Sequence, residues 1–438
     1  MTSQNDGKMG IWMTSAFVIG SIIGVAIFML PIALAPYGVN AIVGWIISSI
    51  GAICLGLPLA RVAREGAGIQ AAIENTFGST VAFVVAWAFW VSNWSGLSAI
   101  ALGAASTISR AIPPLANPSS VVLLSAAFIA LTVPINARGA RASGAMAILI
   151  ALLRIFPLVA VVLIVAARAS LHQKLQPLGT QPITISAVAS ATALTLYAFT
   201  GFENVSAPVG KIRDPNRVIP KAMLIGVVIT AVVYLTTSTS VMLLLPASEL
   251  MKSPAPFADA VSSTLGEAGV YLMVAGIAVS AFGCIGCGSM TAGELCYAMA
   301  IRDDLPRTLA RTNVRGTPVL SQIVSASLGI ALVLSNASRS TAALFTFIVL
   351  VSTVAVLILY VVAAVAIVVR DRSPAMRVLA SLGIVFAAYA FYGSGLEACL
   401  WGLGLGLSAL PVRAITRWLS GSSRAGAASP AAPQESSS

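Results

Sequence analysis

Apolar residues in this chain gather into long runs divided by short polar connections. Runs of about twenty residues or more are what a bilayer-crossing helix requires. They fall at 10–36, 41–62, 80–107, 119–136, 143–167, 182–209, 219–246, 267–300, 317–336, 341–369, 376–393 and 395–416, about twelve spans. The pattern predicts an all-α membrane protein. The two longest connections are 171–182 and 247–266, and within the second, Ser253–Ala260 predicts a short external helix. Residues 1–9 form a polar N-terminal segment, and the Ser/Ala/Pro-rich tail 421–438 is expected to be disordered.

Two of the runs are interrupted. The first contains Gly20-Ser21-Ile22-Ile23-Gly24-Val25-Ala26-Ile27-Phe28-Met29-Leu30-Pro31. In lipid every backbone N–H and C=O must be satisfied by the protein, so broken backbone survives only where it is buried or lines a cavity. Glycines weaken the helix and admit close approach. The freed amides and carbonyls suit a small zwitterion, as in a transporter. The sixth run is interrupted at Tyr197-Ala198-Phe199-Thr200-Gly201-Phe202-Glu203-Asn204, a glycine followed by a carboxylate at membrane depth. Matching breaks five spans apart point to an inverted-repeat transporter with its site at the midplane. The halves match in pattern, not in plain sequence repeat. Gly20 and Gly24 alone would also suit a small-residue helix-packing pair; the second break favours the site.

The chain has 438 residues, 58% apolar and 9% charged, with mean hydropathy +0.95 and formal net charge +11. A soluble protein this apolar could not cover its surface with polar groups. With the N-terminus inside, one face carries Lys8, Arg61, Arg64, Arg138, Arg141, Lys211, Arg213, Arg217, Lys221, Arg302, Arg307, Arg311, Arg315, Arg370, Arg372, Arg377, Arg413, Arg417 and Arg424. The other carries only Arg110, Arg168, Lys174, Lys252 and Arg339. The positive-inside rule therefore accounts for the charge without nucleic acid or another polyanion, and places both termini in the cytoplasm. The first apolar run is too long for a cleaved signal. Cys284-x-x-Cys287 stands beside no second cysteine pair, and the one histidine, His172, falls in an external loop, so packing is favoured over metal, cofactor or redox chemistry. No enzyme is expected.

Several motifs then carry a family resemblance. They are the glycine-rich first span ending Ile27-Phe28-x-x-Pro31, Gly66-Ala67-Gly68-Ile69-Gln70 through Phe77-Gly78, Gly201-Phe202-Glu203 followed by Lys211–Ala222, and Ala292-Gly293 through Asp303-Asp304-Leu305-Pro306 to Gly316-Thr317-Pro318. In this order, from about Lys8 to Trp418, they resemble the amino acid–polyamine–organocation superfamily, and within it the bacterial arginine/agmatine antiporter group. The resemblance implies a five-plus-five inverted-repeat fold with broken helices one and six. The repeats would be 10–168 and 182–370, with spans eleven and twelve (376–416) appended. Residues 66–78 would form the re-entrant loop after span two. It also implies alternating access in the bacterial inner (cytoplasmic) membrane, exchange of an amino acid or amine, and a homodimer.

In that frame the amides of Gly24, Val25 and Ala26 present a helix N-terminus to a substrate carboxylate. The carbonyls of Ser21, Ile22, Ile23, Tyr197 and Thr200 would take its ammonium. Asn93 matches a guanidinium contact, and Ser352 and Thr353 a polar pair on span ten. Phe89, Trp90 and Trp94 offer aromatic walls. The chain departs from the arginine/agmatine exchangers at Val25-Ala26, at Tyr197, and at Gly288, where a clamping tryptophan is missing; this leaves neutral amino acids as an alternative, carried by a proton-coupled or facilitative permease or an exporter. A channel or a transport-dead sensor is a further alternative, but polar residues cluster at the breaks rather than along a pore. Arg154, inside span five, stands where related permeases hold a lysine in place of sodium, and it cannot plausibly release its proton. Glu203 matches a gating, proton-linked glutamate. Glu294, nearer the cytoplasmic end of span eight, is a second coupling candidate, or it pairs with a basic loop residue.

Overall fold

The computed structural model describes residues 9–64, 69–138, 144–179, 181–203 and 212–427. Among them all regular elements are helical. The first half holds α1 (Ile11–Ile22), a 3-10 turn (Val25–Phe28), α2 (Leu30–Leu34), α3 (Val39–Arg64), α4 (Ile69–Phe77), α5 (Ser79–Ala111), α6 (Pro118–Ala137) and α7 (Gly144–Ser170). The second holds α8 (Ile185–Phe199), α9 (Pro215–Leu244), α10 (Ala247–Leu250), α11 (Pro256–Ile301), α12 (Val319–Ser335), α13 (Thr341–Arg370), α14 (Pro374–Leu407) and α15 (Ala409–Ala427).

Small polar residues start several of these helices at the edge of an apolar run. The side chains of Asn117, Thr184, Ser340 and Ser373 accept from the amides of Ser120, Ala187, Ala343 and Met376. Such caps satisfy amides that a helix cannot bond internally.

The core lies along α5 and α13. In their most apolar stretches 67% and 72% of residues are buried, against 22% for Leu152–Ser170 of α7, so the first two are central and the last is peripheral. On α7 the exposed Leu152, Ile155, Phe156, Val159 and Leu163 recur at helical spacing and form a lipid-facing stripe. Among the described residues, eight helices are long and apolar enough to cross a membrane, and α1, α8 and α12 are shorter apolar helices.

The expected spans map onto this order with four differences. Residues 69–77 form helix α4, not a loop; Gly66–Gly68 lie outside the described residues. The sixth span is described as helix only to Phe199, and Asn204 to Lys211 lie outside the described residues. The expected external helix at Ser253–Ala260 forms as Pro256–Leu265, running into span eight through Gly266 at φ 64°. Finally, α15 runs to Ala427, so the first seven residues of the tail 421–438 are helical rather than disordered, because the amphipathic pattern after Ala409 continues past Gly421.

The helix at 256–265 covers the second half of span one. Phe257 meets Phe28 edge-on, with ring centroids 5.1 Å apart. Asp259 fixes the cover, accepting from Arg110 Nε at 2.6 Å and from Ser253 Oγ at 2.6 Å. On the opposite face, Met9 O accepts from Arg213 N at 3.0 Å, joining the start of span one to the segment after span six.

Spans six and eleven pack closely through Gly393, where an added Cβ would lie 1.9 Å from Ala189 O. Gly393→Ala should therefore force α14 off α8 and cost roughly 1–3 kcal/mol as overpacking does. A thermal melt of the purified protein in detergent checks this: an unchanged midpoint would contradict the close packing.

Candidate functional site

Span one breaks where its sequence interrupts the helix. Ile23 is extended (φ −67°, ψ 91°) and so is Gly24 (φ −100°, ψ −179°), between the end of α1 at Ile22 and the turn that starts at Val25. An unwound segment at membrane depth leaves amides and carbonyls to be partnered. Tyr234 of α9 partners two of them. Its hydroxyl donates to Ile22 O at 2.8 Å and accepts from Gly24 N at 3.3 Å. The ring is held against Trp45 and Phe199, with centroids 5.4 and 5.9 Å away.

Arg154 partners the next group. Its Nη1 donates to Ile23 O at 2.6 Å and lies 3.5 Å from Gly20 O. Nε reaches Ser280 Oγ at 3.1 Å, and Nη2 reaches Cys284 Sγ at 2.9 Å. One guanidinium thus ties spans five and eight to the unwound carbonyls of span one.

Span six breaks opposite. Its helix ends at Phe199; Thr200 turns out of helical geometry (ψ 143°) and Gly201 has φ 115°. A Cβ on Gly201 would lie 2.4 Å from Ser21 O, so only glycine allows the two broken backbones to meet. Glu203, buried just beyond, accepts from Gly201 N at 2.9 Å and from Tyr360 Oη of α13 at 3.0 Å. Phe202 stacks on Tyr360 at 5.0 Å.

The other sequence candidates divide. Tyr197 Oη donates to Gly96 O at 2.9 Å, and Ser352 Oγ donates to Ser92 O at 2.9 Å, so spans six and ten meet span three in one polar cluster. Phe89, Asn93 and Leu97 share a stripe of α5, but the Asn93 amide donates back to Phe89 O at 2.8 Å. Leu97 fills the space beside Gly288, 3.2 Å from where a Cβ would sit.

Several of the expected groups already have partners within the protein. The carbonyls of Ile22 and Ile23, expected to take a substrate ammonium, each accept once, from Tyr234 and Arg154, and keep a second lone pair. The Tyr197 carbonyl likewise accepts from Thr200 Oγ1 at 2.7 Å. Trp90 donates to Ser325 of span nine at 2.9 Å, so its indole N–H is committed to that span. Thr353 bonds back within α13 to Val349 O at 2.9 Å. Half-buried Glu294 has no hydrogen-bond or ion-pair partner among the described residues. Cys287 is exposed, whereas Cys284 faces the break and does more than pack.

Sequence reasoning missed Tyr234, Ser280, Cys284 and Tyr360. The available signal was a hydroxyl or thiol inside an apolar run, which needs a partner once buried. Tyr234→Phe should leave Ile22 O and Gly24 N short of a partner and lower stability by about 1–3 kcal/mol. Chemical denaturation of wild type and variant measures it, and equal midpoints would show that the hydroxyl does not hold the break.

Comparison with known proteins bears on the same residues. A sequence model of the amino acid permease family matches residues 9–403. The putrescine transporter PotE of Escherichia coli (strain K12) is 25% identical over 421 residues, covering 92% of this chain and 94% of that protein. A putative arginine/ornithine antiporter of Bacillus subtilis (strain 168) is 25% identical over 395 residues, covering 82% and 83%. The cadaverine/lysine antiporter of E. coli (strain K12) is 26% identical over 342 residues, covering 76% and 77%.

Proposed function

The chain belongs to the amino acid permease family, and from that membership we propose a secondary transporter that exchanges a small amino acid or amine across the bacterial inner membrane by alternating access. The supporting observation is the pair of facing breaks, Ile23-Gly24 and Thr200-Gly201, which brings unwound backbone of two spans together inside the bundle. Half-helices that end at the midplane give a carboxylate the positive end of a helix dipole and give an amine carbonyl oxygens. The three relatives bear the names of amine and basic amino acid carriers, which favours a substrate with a cationic nitrogen, and arginine/agmatine-type exchange is the leading case.

A second reading, neutral amino acids, draws on two observations. Arg154 holds a permanent positive charge on Ile23 O, and like charges repel a dication nearby. Leu97 lies where a clamping aromatic would stack on a guanidinium, and such a stack is worth roughly 0.5–2 kcal/mol.

In the proposed mechanism Arg154 does the work of a bound cation without leaving, so sodium is not required. Glu203 sits between the span-six break and Tyr360 of α13, and proton exchange there would alter both contacts as the inner halves of the spans move. Both termini are assigned to the cytoplasm from the distribution of basic residues, and a homodimer is assigned from the family resemblance.

Proteoliposomes loaded with arginine, agmatine, putrescine, lysine, leucine or alanine test the substrate. Trans-stimulated uptake by one amine-bearing solute, independent of sodium, is the expected result; the same rate from empty vesicles would refute exchange. Glu203→Gln should flatten the dependence of exchange on pH relative to wild type, and an unchanged pH profile would remove the proton from Glu203.

A further inference from the structure

On the face bearing the basic loops, a cavity of about 340 Å³ opens between α4, the start of α5, the connection after α11, and α15. Glu74, Ser79, Arg302, Asp304, Arg413 and Arg417 line it. Both acids are committed. Glu74 pairs with Arg302, and Asp304 accepts from Arg413 Nε at 3.0 Å, with both members of this second pair buried. Arg413 is locked further by Thr80 Oγ1 at 2.9 Å and by the Phe83 ring at 5.3 Å. Burial raises the Asp304 carboxyl above its ordinary value, against the pull of Arg413, Arg302 and Arg417. Arg417 is thus close enough to be felt electrostatically, yet it has no ion-pair partner among the described residues. The excess charge of the cavity is its own.

A second feature points the same way. Ser79 is the first residue of the 33-residue helix α5, whose N-cap is Gly78 with no side chain to cap it. The positive end of that helix and its free amides therefore face a cavity already one cation in excess, the arrangement that binds phosphate oxygens. The cavity also lies beside residues that suit a bilayer surface. Trp418 is 72% exposed beside Arg417, and Ile415 and Leu410 are exposed on the same helix, an apolar face with an interfacial tryptophan directly after the last span.

We propose that this cavity binds the phosphate of an anionic phospholipid from the cytoplasmic leaflet, with Arg417 and the α5 N-terminus as its donors. The occupant sits where α4, α5 and α15 converge, and so bridges the inner loop of the first repeat to the C-terminal helix. The assignment of the leaflet rests on the membrane orientation proposed above; the site does not depend on which substrate is carried.

Full-length protein, delipidated and placed in nanodiscs of phosphatidylcholine with or without phosphatidylglycerol, tests it by native mass spectrometry. Wild type should retain phosphatidylglycerol, and Arg417→Gln about fivefold less, as expected for one basic residue at an anionic surface. Arg417→Lys should restore most of it. Ser79→Asp, which suits a helix N-terminus and so should fold, should also lower retention by placing a carboxylate in the phosphate's position. Lys252→Gln, on the other face, should match wild type. Equal retention by wild type, Arg417→Gln and Ser79→Asp would overturn the site. Displacement of the lipid by inorganic phosphate alone would overturn the lipid as its occupant. Neither result bears on exchange, which is read separately in the vesicle assay.

Discussion

Lipid offers no hydrogen bonds, and this single constraint governs how the two broken helices are built. Unwinding span one at Ile23-Gly24 frees backbone groups that cost several kcal/mol each if left bare in hydrocarbon. The molecule meets that cost with side chains drawn from three other spans. Tyr234 takes one carbonyl and one amide, and Arg154, itself held by Ser280 and Cys284, takes the next carbonyl. The break is a structured joint, held by named partners, and not a frayed end.

That solution shapes what the site can accept. A guanidinium at Ile23 O supplies a positive charge that is fixed to the chain. On span six the work falls to Gly201, whose missing side chain lets Ser21 O come close, and to Glu203, which returns to bond the Gly201 amide. Tyr360 then carries the contact into α13, one of the two most deeply buried helices. The break of span six is therefore anchored on the buried centre of the bundle.

Much of this was legible in the residues themselves. Apolar runs set the helices, and the glycines at 24 and 201 marked both breaks, although only Gly201, at φ 115° and against Ser21 O, sits where few other residues could. Arg154 was conspicuous as a charge among Leu and Ile. What escaped notice was ordinary in composition. Tyr234, Ser280 and Cys284 look like tolerated polar atoms in apolar helices, and only the packing of spans seven and eight against span one gives them work. Trp90 shows the converse. An aromatic near Asn93 looks like a binding wall, but its indole N–H is bonded to Ser325 of span nine. The helix at 69–77 and the continuation of α15 to Ala427 were missed because short amphipathic stretches at a membrane surface resemble loops in composition.

The bond between Met9 O and Arg213 N has a mechanical meaning. It stitches the chain entering span one to the chain leaving span six, at the one place where both emerge from the bilayer. One backbone hydrogen bond contributes about 1 kcal/mol, so the feet of the two half-helices are coupled there and not locked.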